Sequence, residues 1–349
     1  MDCVVKIKKP NKTSTVNDLE LLTKEQLIRK IQVLEAHNIQ LQNIINKSKS
    51  SQPSSKKENK IYDFSKCRFR HILLRILYFG WNYQGFAVQE DTTNTIEHHL
   101  FEALTKTCLI KDRSSSNYHR CGRTDKGVSS FGQVLSIDVR TKLSESDQDD
   151  LEKEINYCKV LNRVLPDDIR CVAWSPCNEG FSARFDCRSR TYKYYFPRGK
   201  LNIDKMREAG KFLIGTHDFR NFVKMDVGNG VVQFTRNIFN FEIKSYSDND
   251  SEYSLYVAII NANAFLWHQI RYIIGLLFLI GANKEDPTII KELLDIEKNP
   301  RKPDYSMSSE VPLTLFYCDY ENVNWQLDED NMKCLIEKLQ QMWTYSVTK

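Results

Sequence analysis

Residues 71–79 read HILLRILYF, with seven apolar side chains among the nine and Gly80 directly after them. A strand with one wet face alternates apolar and polar residues. From Leu73 to Phe79 this run does not, so it belongs in the middle of a sheet with a neighbour on each side. The rest of the chain must supply those neighbours, and it does so in a regular order. Thr95 caps a helix whose Ile96, Leu100, Ala103 and Leu104 share one face. Val134–Val139 reads as a strand, Asp150–Leu165 as a helix stopped by Pro166, and Ile169–Ser175 as a further strand. That is a β-α-β-α-β unit of ferredoxin-like type.

The second half repeats the style without repeating the sequence. Arg190–Phe196 (RTYKYYF) alternates strongly and is closed by Pro197 and Gly199. A short amphipathic helix follows over Ile203–Ile214, then strands Ile238–Ile243 and Leu255–Asn261 paired around a polar turn. Phe265–Ile280 is very apolar, too short to span a membrane comfortably and carries Arg271, so it reads as a core helix. A helix over Thr288–Ile296, a strand over Leu313–Tyr320 and a helix over Asp328–Trp343 complete the order. The class is α+β: two ferredoxin-like (RRM-like) domains, residues 61–178 and 179–349, whose sheets join into one extended antiparallel surface. At 349 residues the chain is long enough for both.

Residues 1–60 differ in composition. Thr23 and Gln26 form a capping box, and Leu27, Leu34 and Leu41 fall seven apart, as do Ile31, Asn38 and Ile45. A dimerising coiled coil and a helix docked on its own domain both fit this short seam. Asn46–Lys60 is polar and basic and reads as a flexible tether, or equally as a nuclear address. The opening residues, MDCVVKIKKPNK, contain no apolar h-region, so no signal peptide is expected. Fifty basic residues against forty-five acidic ones give a formal charge of +5, which permits an anionic partner without requiring one. The ten cysteines form no Cys-x-x-Cys, and neither they nor the seven histidines complete a zinc-ligand spacing. The nearest group in sequence, Cys171, Cys177 and Cys187, lacks a fourth ligand, so ordinary thiols in a reducing compartment and no metal are expected.

Four segments carry groups capable of chemistry. In Cys121-Gly122-Arg123-Thr124-Asp125-Lys126-Gly127, two glycines bracket a loop carboxylate that can act as nucleophile or general base. A surface turn would look the same, and the loop lacks the full P-loop pattern. Arg184 sits in Phe181–Phe185, and Arg190, Tyr192 and Tyr194 share one face of the next strand. That interleaving suits phosphates and stacked bases, and it also suits a half-buried sheet. Arg271 lies in the apolar helix and must find a carboxylate, a phosphate or water; pairing with Asp125 would hold that carboxylate ionised. His268, one turn away, reads as a packing or capping residue. Gly215–Phe222 and Lys224 place polar groups among aromatics, with Arg220 and Lys224 as phosphate contacts and His217 bonding backbone. Arg68, Arg70, Arg75, Trp81 and Tyr83 are candidates to extend the same surface.

The GRTDKGV loop, the ARF…RTYKYYF segment, the GTHDFRNF loop and the FLWHQIR helix occur in that order. Together they resemble the TruA-type tRNA pseudouridine synthases over about Phe69–Trp325. YCKVLNRVLPDDIR, Lys224–Val227 and Tyr305–Met307 resemble the eukaryotic branch, which acts at positions 38 and 39 of the anticodon stem-loop. The resemblance implies a pseudouridine synthase fold with a central active-site cleft. It implies that Asp125 is the essential aspartate, that Arg123 holds the target nucleotide out of the stack, and that Tyr192 stacks on its uracil. It further implies that Arg271 pairs with the aspartate and that Arg184 supports or binds backbone. Cys121 stands where many relatives have alanine, and Ser182 where the bacterial enzymes have histidine. Isomerisation involves no redox change and no net hydrolysis, so no nucleotide, flavin or metal cofactor is implied. The implied partner is tRNA, the implied assembly a homodimer without a membrane, and the implied location the nucleus, the cytoplasm or both.

Overall fold

The computed structural model of the protein describes residues 23, 62–144, 147, 150–224, 233–246 and 251–348. Contacts divide the chain into Met1–Ile61 and Tyr62–Lys349. The heptad segment and the basic tether expected within residues 26–60 lie outside the described residues, and the fold is that of the second unit.

Among the described residues ten strands appear in chain order: β1 (Arg68–Tyr78), β2 (His119–Arg120), β3 (Ser129–Thr141), β4 (Ile169–Pro176) and β5 (Ser189–Pro197), then β6 (Gly215–Asp218), β7 (Thr235–Ser245), β8 (Leu255–Ala262), β9 (Leu313–Asp319) and β10 (Gln326–Leu327). The α-helices are α1 (Ile96–Lys106), α2 (Tyr157–Asn162), α3 (Ile203–Lys211), α4 (Gln269–Gly281), α5 (Ile289–Leu294) and α6 (Glu329–Thr348). All ten strands join one sheet in the order β10-β4-β1-β3-β9-β5-β8-β7-β6, with β2 added to β3. The apolar run is central as expected: β1 pairs with β3 on one side and β4 on the other.

The sheet is not purely antiparallel. Its two halves meet where β3 runs parallel to β9, through Ser129 opposite Thr314 and Ser130 opposite Leu315. β9 thus inserts between β3 and β5, strands far from it in sequence. The approach is close: a Cβ on Gly132 would lie 2.6 Å from the Phe316 carbonyl oxygen, so only glycine fits there. One apolar cluster packs α1 and α2 on the first half, around Ile72, Leu104, Ile137 and Tyr157. A second packs α3 and α4 on the other half, around Met206, Ile260, Ile273 and Leu277.

Two helices differ from expectation for local reasons. The expected Asp150–Leu165 helix is a short 3-10 turn, Leu151–Lys153, followed by α2. Glu154 interrupts it because its buried carboxylate accepts from the Ile155 N–H at 2.7 Å and the Thr141 hydroxyl at 2.5 Å. Asn156 then caps a fresh start by accepting from the Lys159 N–H at 2.9 Å. The apolar helix begins at Gln269 rather than Phe265, because His268 adopts φ 61°, a left-handed conformation no α-helix continues through. Phe265, Leu266 and Trp267 are therefore loop residues.

Candidate active site

The Cys121–Val128 loop joins β2 to β3 and is pinned at several points. The Thr124 carbonyl accepts from the Phe86 N–H at 3.1 Å, and the Gly127 N–H donates to the Tyr83 carbonyl at 3.2 Å. The Thr124 hydroxyl bonds the buried Tyr78 hydroxyl at 2.7 Å. Gly127 takes φ 78°, and a Cβ there would meet Glu310 Cγ at 2.7 Å. Glycine is required on both counts.

This loop carries Asp125 into a cleft of about 1860 Å³ that Arg123, Arg184, Arg190, Tyr192 and Arg271 also line. The Asp125 carboxylate accepts from the Trp267 indole N–H at 3.1 Å. His268 Nε2 stands 3.5 Å from its other oxygen. Burial pushes the carboxyl above its ordinary range, and Glu310 adds to this; the Arg271 charge and the Trp267 bond oppose it. His268 is driven the other way, down to about 4, by burial and then by the charges of Arg271 and Lys224. It is therefore neutral near pH 7.

Arg271 does not pair directly with Asp125, contrary to expectation. Although only 8% exposed, it donates through Nε to the Ser308 carbonyl and through Nη2 to Glu310, each at 2.8 Å. The Glu310 carboxylate takes the position expected of Asp125, and the Arg271 charge reaches Asp125 through space. Tyr192 is half-buried, its ring edge-on to Phe265 at 5.2 Å. Burial first, and then charges that include Asp125, hold its phenol protonated. One register step on, Tyr194 is covered by Phe278 of α4, so only Arg190 and Tyr192 of that face reach the cleft.

The arginines divide into two groups. Arg123 and Arg184 are exposed, and among the described residues neither guanidinium has a hydrogen-bond or carboxylate partner. They lie close enough for Arg184 to depress Arg123, after burial and Arg120. Two exposed, unneutralised guanidiniums at a cleft suit phosphates. The backbone turn that presents Arg184 is held by Ser182, whose hydroxyl accepts from the Arg184 and Phe185 N–H groups at 3.3 and 3.4 Å. Arg190 is engaged otherwise: its guanidinium donates to the carbonyls of Asn263, Cys121 and Arg184 and braces the cleft wall.

Some expected residues are not brought to the cleft. Arg220 is spent on Asp218, through Nη2–Oδ2 at 2.6 Å, and lies outside the lining. Lys224 stands at the rim, 5.3 Å from the Trp267 ring centre. Arg68, Arg70, Arg75, Trp81 and Tyr83 do not line it; Arg70 pairs with Glu154, and Arg75 stacks on Trp325. The sequence reading missed Trp267, Glu310 and Arg236 as cleft residues. The Trp267 signal lay within the FLWHQIR motif, masked by its assignment to a helix.

The model of the family described as tRNA pseudouridine synthase matches residues 209–321. A protein of Bos taurus named tRNA pseudouridine(38/39) synthase is 44% identical over 95% of this chain and 74% of its own length. The Saccharomyces cerevisiae protein of the same name is 40% identical over 87% of this chain and 72% of its own. An Archaeoglobus fulgidus protein named tRNA pseudouridine synthase A is 31% identical over 78% and 92%. With the cleft, its carboxylate loop and these likenesses in hand, the chain belongs to the tRNA pseudouridine synthase family, isomerases that convert uridine to pseudouridine in tRNA.

Proposed function

We propose that the protein isomerises uridines 38 and 39 of the tRNA anticodon stem-loop, with Asp125 as the catalytic carboxylate. The observation that carries the reading is the placement of Asp125: a partly buried carboxylate in one cleft with Tyr192, Arg271, Arg123 and Arg184. Its chemistry suits RNA because two exposed arginines and Phe185, itself 75% exposed, share that wall. The position is supported by the relatives bearing the name tRNA pseudouridine(38/39) synthase.

In this reading the target uridine leaves the stack to enter the cleft. Stacking on Tyr192 offsets part of the unstacking by about 1–3 kcal/mol. Arg123 occupies the space the nucleotide vacates, and Arg184 contacts the backbone. Asp125 either adds to the sugar or takes its 2′ proton; the N1–C1′ bond breaks, the base turns, C5 bonds C1′, and the C5 proton moves to N1 with solvent exchange. Both routes require Asp125 ionised, and the Trp267 N–H and Arg271 charge favour that form. A phenol held protonated is not itself a base for the C5 proton, so Tyr192 serves that step by hydrogen-bonding a water that carries the proton away. Lys224 at the rim is an outer phosphate contact, Arg220 contributes little because Asp218 neutralises it, and Arg190 acts by holding the wall. The two halves of the sheet are read as ferredoxin-like domains, and the working form as a pair of chains.

The test is a nucleotide-resolution pseudouridine map of tRNA transcripts incubated with the protein. Modification confined to positions 38 and 39 is the expected result; modification only elsewhere contradicts the site assignment.

A further inference from the structure

The fold unites three cysteines that the sequence keeps apart. Cys121 opens the catalytic loop, Cys187 precedes β5, and Cys318 lies on β9 opposite Arg190. All three are buried, and their sulfurs lie within 4.8 Å of one another, Cys121 and Cys318 at 3.3 Å. Sequence spacing gave no sign of this: it groups Cys187 with Cys171 and Cys177, whereas Cys171 meets Cys158 at 3.5 Å.

We propose that Cys121, Cys187 and Cys318 form a structural zinc site fastening the catalytic loop to the β5–β9 pair. Three sulfur donors without a carboxylate or imidazole among them select a soft cation over magnesium or calcium. Sulfurs bound to one tetrahedral zinc at about 2.3 Å lie roughly 3.8 Å apart, a spacing reached here by small side-chain shifts. Binding releases the three thiol protons to solvent, and Zn²⁺ with three thiolates carries one negative charge. Arg190 is positioned to offset it: its guanidinium donates to the Cys121 carbonyl at 3.2 Å. The Tyr320 hydroxyl is committed to the Ala183 carbonyl at 2.6 Å while its side chain packs against the same buried cluster, so a solvent water completes the fourth position. Without metal, the Cys121 thiol donates to Cys318 and the Cys187 thiol to the Ser189 carbonyl at 3.3 Å. The site would tether the chain four residues before Asp125.

The test is metal analysis of the untagged full-length protein purified without added metal, and again after dialysis against zinc. About one zinc per chain is expected. Cys187→Ser and Cys318→Ser should lose it, and Cys334→Ser, at an exposed cysteine, should keep it. Cobalt exchanged into the wild type should give thiolate-to-cobalt absorption, a readout that holds even if the variants fold poorly. Absence of zinc before and after dialysis, copper in its place, a Cys121–Cys318 disulfide in the purified chain, or zinc retained in both cluster variants would each overturn the proposal. None of these readouts depends on the catalytic assignment of Asp125.

Discussion

At the scale of single residues, the site rests on how Asp125 is kept both buried and able to ionise. Burial raises its pKa, while the Trp267 N–H and Arg271 lower it again. The acid limb of the pH–rate profile should therefore fall above the ordinary carboxylate range, with activity lost as pH drops through it. Trp267→Phe removes a donor to the charged form, a bond worth about 1.5–3 kcal/mol. Single-turnover rates for that variant should drop about tenfold or more, and the acid limb should move to higher pH. A rate loss with no movement of the limb would mean that the indole only fills space. Arg123 and Arg184 make a different prediction. If both meet phosphate, Arg123→Ala or Arg184→Ala should weaken tRNA binding and reduce the slope of log affinity against log salt by about one each. Filter binding across a salt series measures this, and the same change at Arg220 should matter less because Asp218 already neutralises it.

At the scale of elements, the regular pieces were legible and the interruptions were not. The β1 run and the α1 helix follow from periodicity, and Thr95 caps α1 as expected by accepting from the His98 N–H at 3.3 Å. What periodicity does not encode is a residue that leaves the helix while its neighbours remain apolar. His268 is that residue, and its left-handed backbone turns Trp267 toward Asp125. Nor does local sequence reveal a partner 39 residues on: Arg271 is matched by Glu310, in a segment with no helical or strand pattern. Asp125, Tyr192 and Arg271 emerged as a set only through motif resemblance, since each motif alone also fits a bland role. The cap that restarts α2 is testable. Asn156→Ala should lower stability by about 1 kcal/mol, read as a lower urea midpoint with an unchanged slope.

At the scale of the whole molecule, one mixed sheet joins the halves through two parallel-paired positions of β3 and β9, and the cleft is lined from both halves. Acid acts on this cleft through His268 and Asp125 in opposite directions. His268 has a folded-state pKa of about 4 against 6.5 for an ordinary histidine, so the unfolded chain binds the proton more readily. The stability this group contributes is complete above pH 6.5 and is lost as pH falls toward 4. Asp125, raised in the fold, acts oppositely, gaining stability as pH falls through its own raised pKa. His268→Asn tolerates the left-handed backbone and removes the first contribution. The drop in Tm between pH 7 and pH 5 should therefore be smaller in this variant than in the wild type.

The most direct measurement compares wild type with Asp125→Asn on one anticodon stem-loop substrate, recording affinity and single-turnover conversion together. The account predicts binding within a few-fold of wild type and conversion slower by about a thousandfold or more. Conversion at a rate close to wild type would show that the carboxylate in this cleft does not perform the reaction.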